Sequence, residues 1–133
     1  LLYEIKKIIP DITIYGFDIS KYAIKNSKKE IRSFVYVHSL EKKTRFKSKY
    51  FDLVLSIGCL HNLHIYDLEK AIKEINRISK KSYIMVESYN NLKQLFNLQC
   101  WALTANIFLS KKEWIYLLKK FNFEGDLEFI YFN

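Results

Sequence analysis

The sequence is poor in the residues that build tight turns and cross-links. Its 133 residues include one proline, two cysteines and three glycines, which are Gly16, Gly58 and Gly125. Three isolated glycines cannot form a glycine-rich phosphate loop, so that kind of site is excluded. Cys59 and Cys100 lie far apart and match neither a metal-ligand spacing nor a disulfide framework. Two free thiols favour a reducing, cytoplasmic environment.

Long apolar runs are also missing. No run approaches the roughly 20 residues that a membrane-spanning helix needs, so we expect no membrane partner. No signal peptide is recognisable at the start of the sequence. Half of the residues are apolar and 17% are aromatic, which is enough for a hydrophobic core. We therefore expect one globular domain over residues 1–133.

Positive charge, in contrast, is plentiful. The net charge is +8, from 22 Lys and Arg against 14 Asp and Glu. The densest cluster is formed by Lys42, Lys43, Arg45, Lys47 and Lys49. It lacks the regular aromatic interleaving of base-stacking surfaces, so we interpret it as a solvated loop and do not expect nucleic acid as a partner.

The stretch from Phe51 to Leu63 organises the chain. Its first half, Phe51–Ile57, is an almost continuous apolar run, which is typical of a parallel strand covered on both faces. Small and polar residues gather at its exit, including Ser56, His61 and Asn62. Since open α/β sheets bind ligands beyond the carboxyl ends of their strands, we expect this strand end to form the floor of an active site.

Strand and helix patterns alternate along the rest of the sequence. Strands are predicted near residues 12–17, 34–38, 51–57, 82–87 and 127–132. Helices are predicted over Leu1–Ile9, Lys21 to about Ile31, Asp67–Ser79 and Lys111–Phe121, with a short helix near Leu92–Leu98 and an extended Trp101–Leu109. This alternation predicts an α/β fold with a mostly parallel sheet between helices.

Four polar residues near the predicted strand ends are candidates for chemistry. Asp18, at a strand tip, suits either the hydroxyls of a ribose or the entry to a helix. His61 and His64 stand three residues apart, but no third ligand has a suitable spacing, so we predict no metal. Glu87, at another strand end, is interpreted as an ordinary strand-end carboxylate, with a position facing the cleft as the alternative. The tryptophans Trp101 and Trp114 are predicted to lie in the core.

The order of four motifs gives the chain a resemblance. YGFDIS, FVYVHSLE, FDLVLSIGCLHNL and SYIMVES follow one another as in the class I S-adenosylmethionine-dependent methyltransferases of the small-molecule type. The resemblance implies a Rossmann-like three-layer sandwich, S-adenosylmethionine as cofactor and a small-molecule substrate. The family's first strand and glycine-rich loop are not recognisable, so the resemblance implies a partial, N-terminally truncated and inactive domain.

The resemblance also assigns roles to residues of this sequence. Asp18 would bind the ribose hydroxyls, Ile19 would pack on the adenine, and the Ser39–Leu40 turn would lie along the adenine edge. The family usually has an acidic residue at that turn, whereas this chain has Ser39.

At the methionine end of the cofactor, Ser56 and Ile57 would line the site. His61 would face the transferred methyl group and act as the catalytic residue. Without the family's central strand, the edges of strands 12–17 and 51–57 would stay unpaired, and we expect them to promote self-association. Two alternatives remain open, namely a nicotinamide-dependent Rossmann oxidoreductase and a non-catalytic fragment that pairs with another chain.

Overall fold

A computed structural model describes residues 1–133 and shows a mixed α/β chain. It contains two compact units, Leu1–Ser39 and Leu40–Asn133. The strands are β1 (Gly16–Asp18), β2 (Val35–Val37), β3 (Phe51–Ile57), β4 (Ser79–Ser88) and β5 (Asp126–Tyr131). The α-helices are α1 (Leu2–Ile8), α2 (Lys21–Lys25), α3 (Ile65–Ile78), α4 (Leu92–Trp101) and α5 (Lys111–Lys120). Every strand pair is parallel, which confirms the Rossmann-like α/β class.

The first unit pairs β1 with β2 in a two-stranded parallel sheet. Ser20 caps the start of α2, since its side chain accepts a hydrogen bond from the amide of Ala23 at 3.1 Å. The helix ends at Lys25, so its predicted extension to Ile31 is wrong. The side chains of Asn26 and Ser27 bond backbone carbonyls of the preceding turn, which competes with helix propagation.

The second unit contains the sheet β3-β4-β5. Helix α3 packs on it through the apolar stripe that the sequence predicts, and each residue of that stripe is at most 2% exposed: Leu68, Ala71, Ile72, Ile75 and Ile78. Helix α5 begins with a capping box between Ser110 and Glu113. No helix of the protein is both long and apolar enough to cross a bilayer.

Strand β3 is an edge strand with one open face. It pairs with β4 alone, and Leu53, Leu55 and Ile57 are 54%, 38% and 40% exposed. The prediction that β3 is covered on both faces is therefore wrong. Phe51, Leu53, Leu55 and Ile57 share one face of the strand, which no element of the second unit covers, whereas Val54 and Ser56 lie on the other face. Self-association through this surface stays a prediction.

An ion pair on α3 anchors part of the basic loop. Glu74 is 6% exposed and accepts hydrogen bonds from Arg77 at 2.6 and 2.7 Å and from the amide of Thr44 at 2.7 Å. Arg77 also donates to the carbonyl of Phe46 at 2.8 Å. The Arg77 guanidinium therefore connects α3 to the loop.

The segment between β4 and α5 also differs from the prediction. Helix α4 continues to Trp101, three residues beyond the predicted end, and begins at Asn91, whose side chain accepts from the amide of Gln94. Residues 102–109 contain a turn at Leu103–Thr104 and a bend at Asn106, and no strand forms in this range. Backbone hydrogen bonds from this segment reach the carbonyl of His61, which positions the segment beside the carboxyl end of β3.

Candidate functional site

Strands β3 and β4 end side by side, and a glycine turn follows β3. Ile57 is in register with Met85, and the amide of Gly58 donates to the Met85 carbonyl at 3.0 Å. Gly58 has a φ of 60°, in the left-handed region that favours glycine. A Cβ atom there would lie 3.0 Å from Oε1 of Glu87. The glycine therefore lets the turn approach the Glu87 carboxylate closely.

His61 and Glu87 form a buried pair at this strand end. His61 lies in a 3₁₀ turn over Leu60–Asn62, and its Nδ1 is 2.6 Å from Oε2 of Glu87. The two residues are 6% and 3% exposed. Neither of these two atoms has a hydrogen-bond partner of regular geometry, so each depends on the other for electrostatic compensation. The contact with His61 shows that Glu87 is more than an ordinary strand-end carboxylate, which was the preferred interpretation.

A cleft of about 360 Å³ opens over His61. Its wall includes Gly58, His61, Asn62, Trp101, Leu103 and Thr104, and no Lys, Arg, Asp or Glu side chain lines it. Trp101 is 57% exposed, so its predicted place in the core is wrong, whereas Trp114 is fully buried as predicted. The Trp114 indole donates to the backbone carbonyl of Glu87 at 3.2 Å and thus helps to hold β4 at the site.

The segment after α4 fixes the turn that carries His61. Its Asn106 amide donates to the His61 carbonyl at 2.9 Å, and its Asn106 side chain donates to the Asn62 carbonyl at 2.6 Å. The Thr104 hydroxyl bonds Oδ1 of Asn62 at 2.8 Å. Glu87 thus contacts the imidazole itself, and the hydrogen bonds from Thr104 and Asn106 fix the turn that carries it.

The predicted methionine-end residues lie on opposite faces of β3. Ser56 is 7% exposed, and its hydroxyl is buried without a hydrogen-bond partner. Ile57 is exposed on the other face, because successive side chains of a strand alternate. A buried hydroxyl without a partner is costly unless a ligand or a water satisfies it, so Ser56 fits a polar ligand group at this strand end.

The predicted adenosine-end residues belong to both units. Asp18 is exposed, and its Oδ1 accepts from the amide of Ser20 at 2.8 Å, which is the helix-entry role. Its neighbour Ile19 is 65% exposed, which suits contact with a flat ring. Ser39 ends the first unit, and Leu40 begins the second with a buried side chain. The convergence of these residues with Ser56 and His61 stays a prediction.

The comparison with known families decides the class. A family model described as a methyltransferase domain matches residues 3–86, more than half of the chain. The chain belongs to the methyltransferase-domain family. The match includes Asp18, all of β3 and the His61 turn, and it confirms the class I resemblance. No curated protein and no solved structure matches the chain significantly.

The family match ends just before Glu87, so two features of the cleft lie beyond it. Glu87 and Trp101 become recognisable only from the fold, since they approach His61 from a neighbouring strand and from α4. A sequence signal exists for Glu87, which is the first charged residue after the apolar run of β4. No comparable signal distinguishes Trp101 from a core tryptophan.

Proposed function

We propose that this methyltransferase domain uses S-adenosylmethionine and transfers its methyl group to a small-molecule acceptor. The observation that carries the proposal is the buried His61–Glu87 pair at the carboxyl edge of a parallel sheet, in a chain of this family. Buried pairs of titratable side chains beside a cleft are characteristic of functional sites. The two free thiols, Cys59 and Cys100, support a reducing, cytoplasmic location.

Several residues of the chain fit the cofactor. Oδ2 of Asp18 makes no hydrogen bond within the protein and is available to ribose hydroxyls. The exposed Ile19 offers an apolar surface beside it for the adenine, and the Ser39–Leu40 turn offers backbone groups for the adenine edge. The unpartnered hydroxyl of Ser56 suits the methionine end, and Ile57 offers an exposed apolar surface on the other face of β3. These assignments come from the family resemblance and agree with the local exposure of each residue.

His61 has the geometry of a general base for an oxygen or nitrogen acceptor. When bound, the cofactor supplies the methyl group on a sulfonium, which leaves as a neutral thioether. Because that leaving group is already activated, the protein contributes mainly alignment and exclusion of water. With Nδ1 beside Glu87, Nε2 of His61 remains to receive the acceptor's proton. The Glu87 carboxylate then compensates the positive charge on the ring.

We further propose that the 133 residues alone bind S-adenosylmethionine very weakly and show no turnover. Their three glycines are isolated, and only Gly58 adopts a positive φ. In the family a glycine-rich loop aligns the sulfonium with the acceptor. A displacement of about 1 Å can cost on the order of a hundredfold in rate, so loss of the whole loop costs more.

Calorimetric titration tests this proposal. The 133-residue chain and a version extended at its amino terminus by a strand and glycine-rich loop of the family are titrated with S-adenosylmethionine. The extended protein should bind, and Asp18→Ala should weaken that binding. Asp52→Ala is the matched control, because Asp52 is an exposed carboxylate near the amino end of β3, whereas the candidate site lies at the carboxyl end of that strand.

Three results would contradict the proposal. Tight binding by the 133 residues alone would show that the loop is dispensable. Equal binding of S-adenosylmethionine by the Asp18 variant and its control would show that Asp18 does not contact the cofactor. Binding of NADH in place of S-adenosylhomocysteine by the extended protein would favour a nicotinamide-dependent oxidoreductase.

A further inference from the structure

We infer that the cleft over His61 is the acceptor site and that it takes a neutral compound with one phenol-type hydroxyl on an apolar ring. The inference rests on the proposed methyl transfer for its role, but the binding chemistry follows from the cleft itself. Three properties of the cleft wall carry it, namely its charge, its polar groups and its exposed apolar surface.

The charge of the site excludes ionic acceptors. Although the protein carries a net charge of +8, no Lys or Arg side chain lines the cleft, so an anion finds no counter-ion there. The Glu87 carboxylate directly behind His61 repels an anion as well. Glu87 is 3% exposed and already contacts the imidazole, so it does not reach a cationic ligand either.

The polar groups of the wall leave one proton acceptor for a ligand. His61 is the one titratable side chain of the lining, and the side chains of Asn62 and Thr104 bond each other at 2.8 Å. Its Nδ1 is turned toward Glu87, so the imidazole offers Nε2 to the cleft. A ligand with a single hydroxyl can bond to Nε2 of His61. A ligand with several polar groups loses hydrogen bonds to water that the cleft wall does not replace.

Two exposed apolar side chains provide the rest of the surface. Trp101 and Leu103 are 57% and 86% exposed at the cleft. The Trp101 ring lies 6.4 Å from the His61 ring and packs against Phe132 at 4.7 Å, so it is held beside the imidazole. A fixed indole next to the base favours a flat apolar body on the ligand.

The acidity of the hydroxyl favours a phenol over an aliphatic alcohol. A phenol ionises near pH 10, much closer to the range of an imidazole than an alcohol does, and proton transfer is most effective when the two pKa values are close. The phenol proton passes to Nε2 of His61, and the oxygen keeps the electron pair of the broken O–H bond. The resulting imidazolium lies against the Glu87 carboxylate.

Nuclear magnetic resonance of the isotope-labelled chain tests the inference without the cofactor. The probes are 4-methylphenol, 4-methylbenzoate and 4-methylbenzylamine, which differ mainly in charge. We expect 4-methylphenol to shift the His61 imidazole and Trp101 indole signals and to leave the buried Trp114 indole unchanged. It should bind at least about tenfold more tightly than either charged probe. Equal or tighter binding of the benzoate overturns the inference.

Two exposed leucines supply a matched pair of variants that leave the core intact. Leu103→Asp removes apolar surface from the cleft and should weaken 4-methylphenol binding about fivefold or more. Leu92→Asp makes the same change at an 83% exposed position outside the cleft wall and should have no effect. Equal affinities of both variants and the unmodified chain would show adventitious binding only and would refute the site.

The two proposals fail separately in these experiments. Binding of 4-methylphenol together with a lack of S-adenosylmethionine binding in the extended protein refutes the methyltransferase function but not the cleft. Binding of S-adenosylmethionine together with a lack of selective phenol binding refutes the acceptor class alone.

Discussion

Replacement of Glu74 by glutamine should destabilise the second unit by removing a charge from a buried anchor. The carboxylate accepts two hydrogen bonds from Arg77, at 2.6 and 2.7 Å, and one from the amide of Thr44 at 2.7 Å. It joins α3 to the loop around Phe46, to which Arg77 donates at 2.8 Å. A glutamine side chain has nearly the same shape, so the change removes the charge and one acceptor oxygen while the packing is kept.

The expected loss is about 1–2 kcal/mol in the free energy of unfolding near pH 7. A hydrogen bond to a charged group contributes roughly 1.5–3 kcal/mol. The glutamine oxygen can still accept from the Thr44 amide, and Arg77 keeps its bond to Phe46. The Arg77 side chain is also 24% exposed, so water partly replaces the lost partner, which reduces the loss.

The loss should depend on pH in a defined direction. Burial by itself would raise the pKa of Glu74, but hydrogen bonds from Arg77 and Thr44 outweigh it and hold that pKa below the ordinary value of 4.5. The unfolded chain therefore binds the proton first as the pH falls. The stabilisation by ionised Glu74 is complete above about pH 4.5 and disappears as the pH falls through the lowered folded-state pKa.

Urea unfolding followed by circular dichroism, at pH 7 and at stepwise lower pH, measures this effect. Glu69→Gln is the matched control, because Glu69 lies on the same helix in an exposed pair with Lys73. The control should unfold like the original chain at pH 7. An equal loss in both variants, or a Glu74 effect that persists after acid protonation, would refute the buried-anchor argument.

Three further outcomes are expected. Gly58→Ala should lower the stability by about 1–2 kcal/mol, since φ is 60° and the new Cβ meets Glu87; an unchanged melting temperature would contradict this. Ser110→Ala should cost about 1 kcal/mol through the lost cap of α5, and a control substitution Ser48→Ala in the loop should be neutral by urea unfolding. Because β3 has an open edge, the isolated chain should self-associate in light scattering, and a monodisperse, cooperatively melting monomer would count against it.

Local patterns were sufficient wherever a structure depends on neighbours within one helical turn or along one strand. The stripe of α3 follows from apolar residues at helical spacing, and both Ser20 and Ser110 cap their helices from the side chain itself. The apolar run Phe51–Ile57 predicts β3 with its observed bounds. The alternation of these elements was enough to predict the parallel α/β class.

Burial, in contrast, depends on what lies opposite a residue, and that is a property of the tertiary structure. The pattern of α3 places Arg77 outside its apolar stripe, yet the loop around Phe46, about thirty residues earlier, folds over it. The apolar run of β3 looks buried on both faces, but no element of the second unit covers Leu53 and Leu55. Composition alone carries no information on which face of a strand is covered.

The candidate site divides in the same way. The sequence by itself determined that polar residues follow β3 and that His61 is among them, because they are adjacent in the chain. Only the tertiary structure places Glu87 against His61 and brings Trp101 to the cleft wall, since residues 26 and 40 positions apart meet through strand pairing and helix docking. Such contacts form only as distant segments pack together during folding, so no spacing rule within one segment can predict them.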